Sequence, residues 1–151
     1  MANTQAVCNS FKTELMNGIH ALGTTVVRAG TTKDTLKAAL FLASATINKS
    51  TTAYGTTGEV TGTNYTAGGV SVTNANAPAN ASDTSYWTPS AAFAWTTVTL
   101  STAFDCCLIY NSTQGDKAIA AYTFGSQTVT AGNFTLSMPT NDQTTGLLRL
   151  A

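Results

Sequence analysis

The stretch Cys106-Cys107-Leu108-Ile109-Tyr110-Asn111-Ser112-Thr113-Gln114-Gly115-Asp116-Lys117-Ala118-Ile119-Ala120-Ala121-Tyr122-Thr123-Phe124 decides the fold. Residues 106–110 are apolar without interruption, the pattern of a central strand buried on both faces. Residues 111–116 are turn formers, so the chain reverses and 117–124 returns beside it as an antiparallel partner. A hairpin at the centre of a sheet is the first tertiary unit the sequence predicts.

Outward from this hairpin the period stays near two. Phe93, Trp95, Thr97 and Thr99 alternate against Ala94, Thr96, Val98 and Leu100, as in a strand with two distinct faces. Short segments rich in β-branched and aromatic residues, separated by Gly, Asn, Ser and Asp clusters, predict strands at 24–28, 35–42, 69–74, 91–100, 104–111, 117–124, 133–138 and 147–150. These suffice for an all-β, two-sheet sandwich over residues 23–151. Segments 43–68 and 75–89 are too polar for a core and read as long loops, the first candidates for contact surfaces.

The beginning of the chain differs. Val7, Cys8, Phe11, Leu15 and Ile19 recur near every fourth residue, with Leu22 continuing the stripe, which predicts an amphipathic N-terminal helix within 1–22 of the same domain. Asn3 or Thr4 would cap it and Asn17-Gly18 would stop it. Phe11 and Leu15 would then face the chain's own sheet or a neighbouring subunit.

Composition narrows the function. Thirty of the 151 residues are threonine and only 9% are charged, against roughly a quarter in ordinary soluble domains. Seven basic residues balance seven acidic ones, so no electrostatic stripe favours nucleic acid or an anionic membrane. Near-neutrality leaves little repulsion between copies and suits a homo-oligomer or attachment to a scaffold. Residues 1–8 lack a cationic start followed by an apolar run, so neither a secretion signal nor a membrane span is expected, and the Asn-x-Ser/Thr triplets are not read as glycan sites.

Catalytic chemistry has few starting points. Glu14, Asp34, Glu59, Asp83, Asp105, Asp116 and Asp142 are scattered singly, and no spacing pairs them as a glycosidase dyad would require. His20 is the one histidine, just past the predicted helix end, without a nucleophile elbow near it. Cys8, Cys106 and Cys107 match no zinc spacing, and the adjacent pair would point to opposite faces of a strand. The glycine-bearing stretch 55–63 lacks the Gly-Lys-Ser/Thr ending of a phosphate loop. No catalytic residue, metal or cofactor is expected. Tyr54, Tyr65, Tyr86 and Trp87 lie in or beside the long loops and suit interface anchoring, or stacking against a sugar.

Thr51-Thr52-Ala53-Tyr54, Glu59-Val60 and Gly62-Thr63-Asn64-Tyr65-Thr66-Ala67-Gly68-Gly69 resemble a segment of small structural proteins of tailed bacteriophages. Leu108-Ile109-Tyr110-Asn111, Phe124-Gly125, 132–136 and 147–150 look like later landmarks of that family in the same order. The resemblance implies a non-enzymatic virion protein, most simply a jelly-roll-like capsid decoration or cement protein on the outer surface of the head. It would be made in the host cytoplasm, form a homo-oligomer and bridge subunits of the major capsid protein. Its expected contact residues are Phe11, Leu15, Tyr54, Glu59, Tyr65, Tyr86 and Trp87. A tail adaptor, baseplate or fibre-base component is the alternative within the virion, and a carbohydrate-binding module using Tyr86 and Trp87 is the alternative outside it.

Overall fold

The computed structural model describes residues 2–16, 18–23 and 32–151. The strand predicted at 24–28 lies outside them. Among the described residues the chain is mostly β, with two antiparallel sheets and one short helix. In order these are β1 (Ala6–Val7), α1 (Asn9–Met16), β2 (Leu36–Leu42), β3 (Val70–Ser71), β4 (Ala79–Ala81), β5 (Thr84–Trp87), β6 (Phe93–Asn111), β7 (Lys117–Leu136) and β8 (Leu148–Leu150). The larger sheet has the order β1-β7-β6-β2-β3 and the smaller β4-β5-β8.

The central hairpin forms as the apolar runs predict, with Asn111 opposite Lys117 and Ile109 opposite Ala120. It is much longer than expected. The segments read as 91–100 and 104–111 are one strand of 19 residues, and those read as 117–124 and 133–138 belong to one partner of 20. Ser101-Thr102-Ala103 and Phe124-Gly125-Ser126 are register irregularities inside the strands, since Leu100 pairs with Val129, Phe104 with Gln127 and Cys106 with Thr123. A bulge keeps the chain in the sheet where polar residues read as a break.

One bulge also corrects the facing of β6. Thr97 has a positive φ of 52°, and the irregularity between Trp95 and Val98 resets the alternation. Phe93, Trp95, Val98, Leu100 and Phe104 all become buried together. The displaced backbone is satisfied locally, because Thr97 N donates to Asn133 Oδ1 at 2.9 Å and Asn64 Nδ2 donates to Thr97 O at 2.9 Å. Phe134 joins the inner face, 4.9 Å from Phe104 and 5.8 Å from Trp95 between ring centroids. These aromatics support the outer half of a ribbon that as an isolated pair of strands would be marginal in water.

The N-terminal helix is shorter than predicted. Ala6 and Val7 pair as a strand with Ala121 and Ala120 on the edge of β7, so backbone pairing wins over the helical stripe. Asn3 caps no helix; its side chain bonds Asp105 Oδ1 at 2.6 Å, Leu42 O at 3.1 Å and Ile47 N at 2.8 Å. The predicted stop at Gly18 is present, with φ 67°. Gly18 N donates to Leu15 O and Ile19 N to Glu14 O, each at 2.9 Å, the paired bonds of a Schellman terminus.

Both predicted loops hold more structure than their polarity suggested. Segment 75–89 contains the β4–β5 hairpin, with Asn80 opposite Ser85; its Ala and Asn residues carry no strand signal, and their place comes from pairing with β5, which pairs in turn with β8. Segment 43–68 buries Ala45, Ile47 and Val60 and bridges to the sheet at Phe41–Glu59, Ala53–Lys117 and Thr63–Thr99. It ends at Gly69, where φ is 70° and a Cβ would stand 1.9 Å from Ala38 O. Only glycine fits so close a crossing. Gly69→Ala is expected to cost at least ~2 kcal/mol and lower the melting temperature by several degrees; an unchanged thermal melt by circular dichroism would contradict the crossing.

Candidate functional site

Three of the seven predicted contact residues meet at one carboxylate. Glu59 is 6% exposed, yet its oxygens accept from Tyr54 Oη at 2.6 Å, Tyr65 Oη at 2.8 Å and Gly68 N at 2.8 Å. Tyr65 Oη in turn accepts from Leu40 N on β2 at 3.0 Å, and Tyr110 Oη donates to Gly68 O at 2.8 Å. The Tyr54 and Tyr110 rings stack at 4.5 Å. Burial raises the pKa of both Tyr54 and Tyr65, and the nearby Glu59 charge adds to it. Both phenols therefore stay protonated and donate. The cluster pins segment 53–69 across the large sheet as a strap.

A second polar cluster joins the beginning of the chain to the hairpin turn. Glu14, His20, Asp34 and Asn111 are all buried. His20 Nε2 lies 2.8 Å from Glu14 Oε2, and Lys117 Nζ donates to Glu14 Oε1 at 2.8 Å. Asn111 Nδ2 contacts His20 Nδ1 at 3.0 Å and donates to Asp34 Oδ2 at 2.7 Å, while its Oδ1 accepts from the Thr113 and Gln114 amides. With both Asn111 amide hydrogens used as donors, His20 Nδ1 is the acceptor and Nε2 carries the proton. Burial opposes ionisation of Glu14, but hydrogen bonds from Lys117 and His20 outweigh it and lower its pKa. Burial opposes ionisation of Asp34 likewise and is outweighed by Gln114, the Ala21 amide and Asn111. The sequence places His20 past the helix end; the partners that enclose it are up to 91 positions away.

The other predicted contact residues lie elsewhere. Phe11 is fully buried with its ring edge-on to His20 at 4.8 Å. Leu15 lines a cavity of about 170 Å³ beside His20, Leu22, Tyr86 and Trp87. Trp87 is 2% exposed, and its indole N–H is shared between Asn74 Oδ1 at 3.2 Å and Asn76 O at 3.3 Å. It presents no open ring face for a sugar. Tyr86, on the same strand, is half-buried.

The thiols are free and buried. Desolvation pushes Cys8 up to about 11 and Cys106 up to about 12, far from the thiolate a nucleophile or metal ligand needs. Among the described residues no three His, Cys, Asp or Glu side chains are grouped to hold a metal, and no helix is long and apolar enough to cross a membrane. Among known proteins the chain matches no family model, no curated sequence and no solved structure. The site thus consists of two internally satisfied polar clusters that fasten segments to a sheet.

Tyr65→Phe leaves Leu40 N without its acceptor and Glu59 Oε1 with Gly68 N alone, and is expected to cost ~1–3 kcal/mol in urea unfolding; a loss within error would show that the Tyr65 hydroxyl does not hold the strap. The lowered pKa values of Glu14 and Asp34 mean that the folded state favours their ionised forms. Their stabilisation is present above the ordinary carboxylate range near ~4 and is lost as pH falls below it. A combined Glu14→Gln and Asp34→Asn variant should be less stable at neutral pH and show a shallower acid decline in melting temperature than the native chain; parallel declines would refute the linkage.

Proposed function

We propose that the protein is a non-enzymatic structural component of a tailed-bacteriophage virion, a head decoration protein that bridges subunits of the major capsid protein. The observation that carries this reading is the uncharged outer half of the central hairpin. No charged side chain occurs between Asp83 and Asp105 or between Lys117 and Asp142. Thr96, Thr97, Thr102, Gln127, Thr128 and Thr130 are exposed there, forming a neutral hydroxyl-rich surface. Such a surface can be covered by another protein without stranding a buried charge, the main penalty in closing an interface.

The rest of the molecule supports the same reading. Glu14, His20, Asp34 and Glu59 are bonded into the fold, and the strap and hairpin turn are held by their own chain, so the surface is ordered before any partner arrives. A preordered contact loses less entropy on docking, and many copies per particle would multiply a modest affinity. In this proposal the two antiparallel sheets form a jelly-roll-like sandwich, and the resemblance of 51–69 and of the later landmarks supplies the link to phage structural proteins. The strap residues Tyr54, Glu59 and Tyr65 then shape the surface from beneath.

Particles assembled without the protein should release DNA at a lower temperature than complete particles, and added protein should restore the difference. Equal heat stability would overturn the cement role. A copy number of a handful per particle, measured on a quantitative gel, would place the protein in the tail.

A further inference from the structure

Three cations, each from a different part of the chain, converge on one groove of about 520 Å³. Lys12 comes from α1, Lys49 from the turn that follows the buried Ile47, and Arg149 from β8; Val7 and Leu150 supply apolar lining. No acidic side chain lines the groove. Among the described residues, which include every Asp and Glu of the sequence, none of the three is in a salt bridge; Glu14 takes both that are present, with His20 and Lys117. Arg149 donates through Nη1 to Thr144 O, which leaves most of its fork unused. Ala151 also borders the groove, and a carboxylate there would still leave two of the three positive charges uncompensated.

This concentration stands out in a chain with seven basic residues and no net charge. Holding like charges around one depression is unfavourable unless an anion relieves it. Leu150 adds a second requirement, being 37% exposed and the one exposed large apolar residue among the described residues. Phosphates would neutralise the cations but gain nothing from Leu150 and Val7, and three contacts give only weak, salt-labile nucleic-acid binding. A protein segment that carries carboxylates beside an aliphatic side chain satisfies both features.

We propose that the groove lined by Lys12, Lys49, Arg149 and Leu150 docks an acidic, partly aliphatic segment of another protein. The proposal deepens the reading of this chain as a docking protein by naming the partner's chemistry, yet it requires neither a virion nor the neutral hairpin face.

The probe is a fluorescein-labelled hexapeptide of alternating glutamate and leucine, followed by anisotropy with the full chain. Binding should weaken as ionic strength rises from ~0.05 to ~0.3 M and should fall at least ~tenfold in the combined K12Q, K49Q and R149Q variant. Leu150→Ser alone should weaken it measurably, and Lys33→Gln, away from the groove, should leave it unchanged. Thermal melts check that each variant is folded, and K49Q alone is the second variant if the combined one is not. No peptide binding, binding indifferent to the groove variants, or equal competition by a single-stranded oligonucleotide of similar charge would overturn the proposal. The particle heat test is independent: a peptide-binding groove with unaltered particle stability would sink the cement role alone, and the reverse result would sink this inference alone.

Discussion

Pairing of β6 with β7 is the constraint on which the other elements depend. The two strands carry the apolar run 106–110 and its partner 118–121, all buried; β1 and β2 attach to them directly, and β3 attaches through β2. β2 pairs along β6 from Asn111 to Phe104, and β1 adds to β7 at Ala120 and Ala121. Burying a side chain the size of Leu, Ile or Phe contributes roughly 1.5–3 kcal/mol, so this ribbon concentrates the apolar gain that sets its register. A shift of one residue would turn that face toward water.

Polar residues then fasten what the apolar ribbon cannot hold. The strap 53–69 has few apolar groups, and its order comes from Glu59, which collects two phenols and a backbone amide in a buried setting. The beginning of the chain is secured in the same way by Glu14, His20 and Asn111 against the hairpin turn. An unpaired buried carboxylate or amide costs more than a formed bond returns, and in each cluster the buried carboxylates are hydrogen-bonded. These clusters use ionisable groups for architecture. The scarcity of charge elsewhere leaves two contrasting surfaces, a neutral hydroxyl-rich ribbon and a small cationic groove, suited to different contacts.

The same division explains which features could be read from residues alone. The hairpin turn at 111–116, β2, the stop at Gly18 and the all-β character were legible because each follows from local pattern or backbone conformation. The helix over the first turn of its stripe was not, because Ala6 and Val7 are drawn into pairing with a strand more than 100 positions away. The alternation over 93–100 placed Val98 and Leu100 opposite Phe93 and Trp95, and the bulge at Thr97 brought them to one face. Tyr54, Glu59 and Tyr65 are expected from the sequence as separate contact residues; that they bond one another depends on how the strap crosses β2, which no spacing encodes.

By itself the sequence determined the period of the chain, its turns, and a composition poor in charge. These are local quantities, set by side-chain volume, backbone freedom and hydrophobic alternation. The tertiary structure alone decided which distant polar groups meet: Glu59 with two tyrosines, His20 with Asn111, and Lys12 and Lys49 with Arg149. Such meetings depend on register and on the path of the chain over the sheet, because a carboxylate or an ammonium is directed by the partner it reaches and not by its place in the sequence.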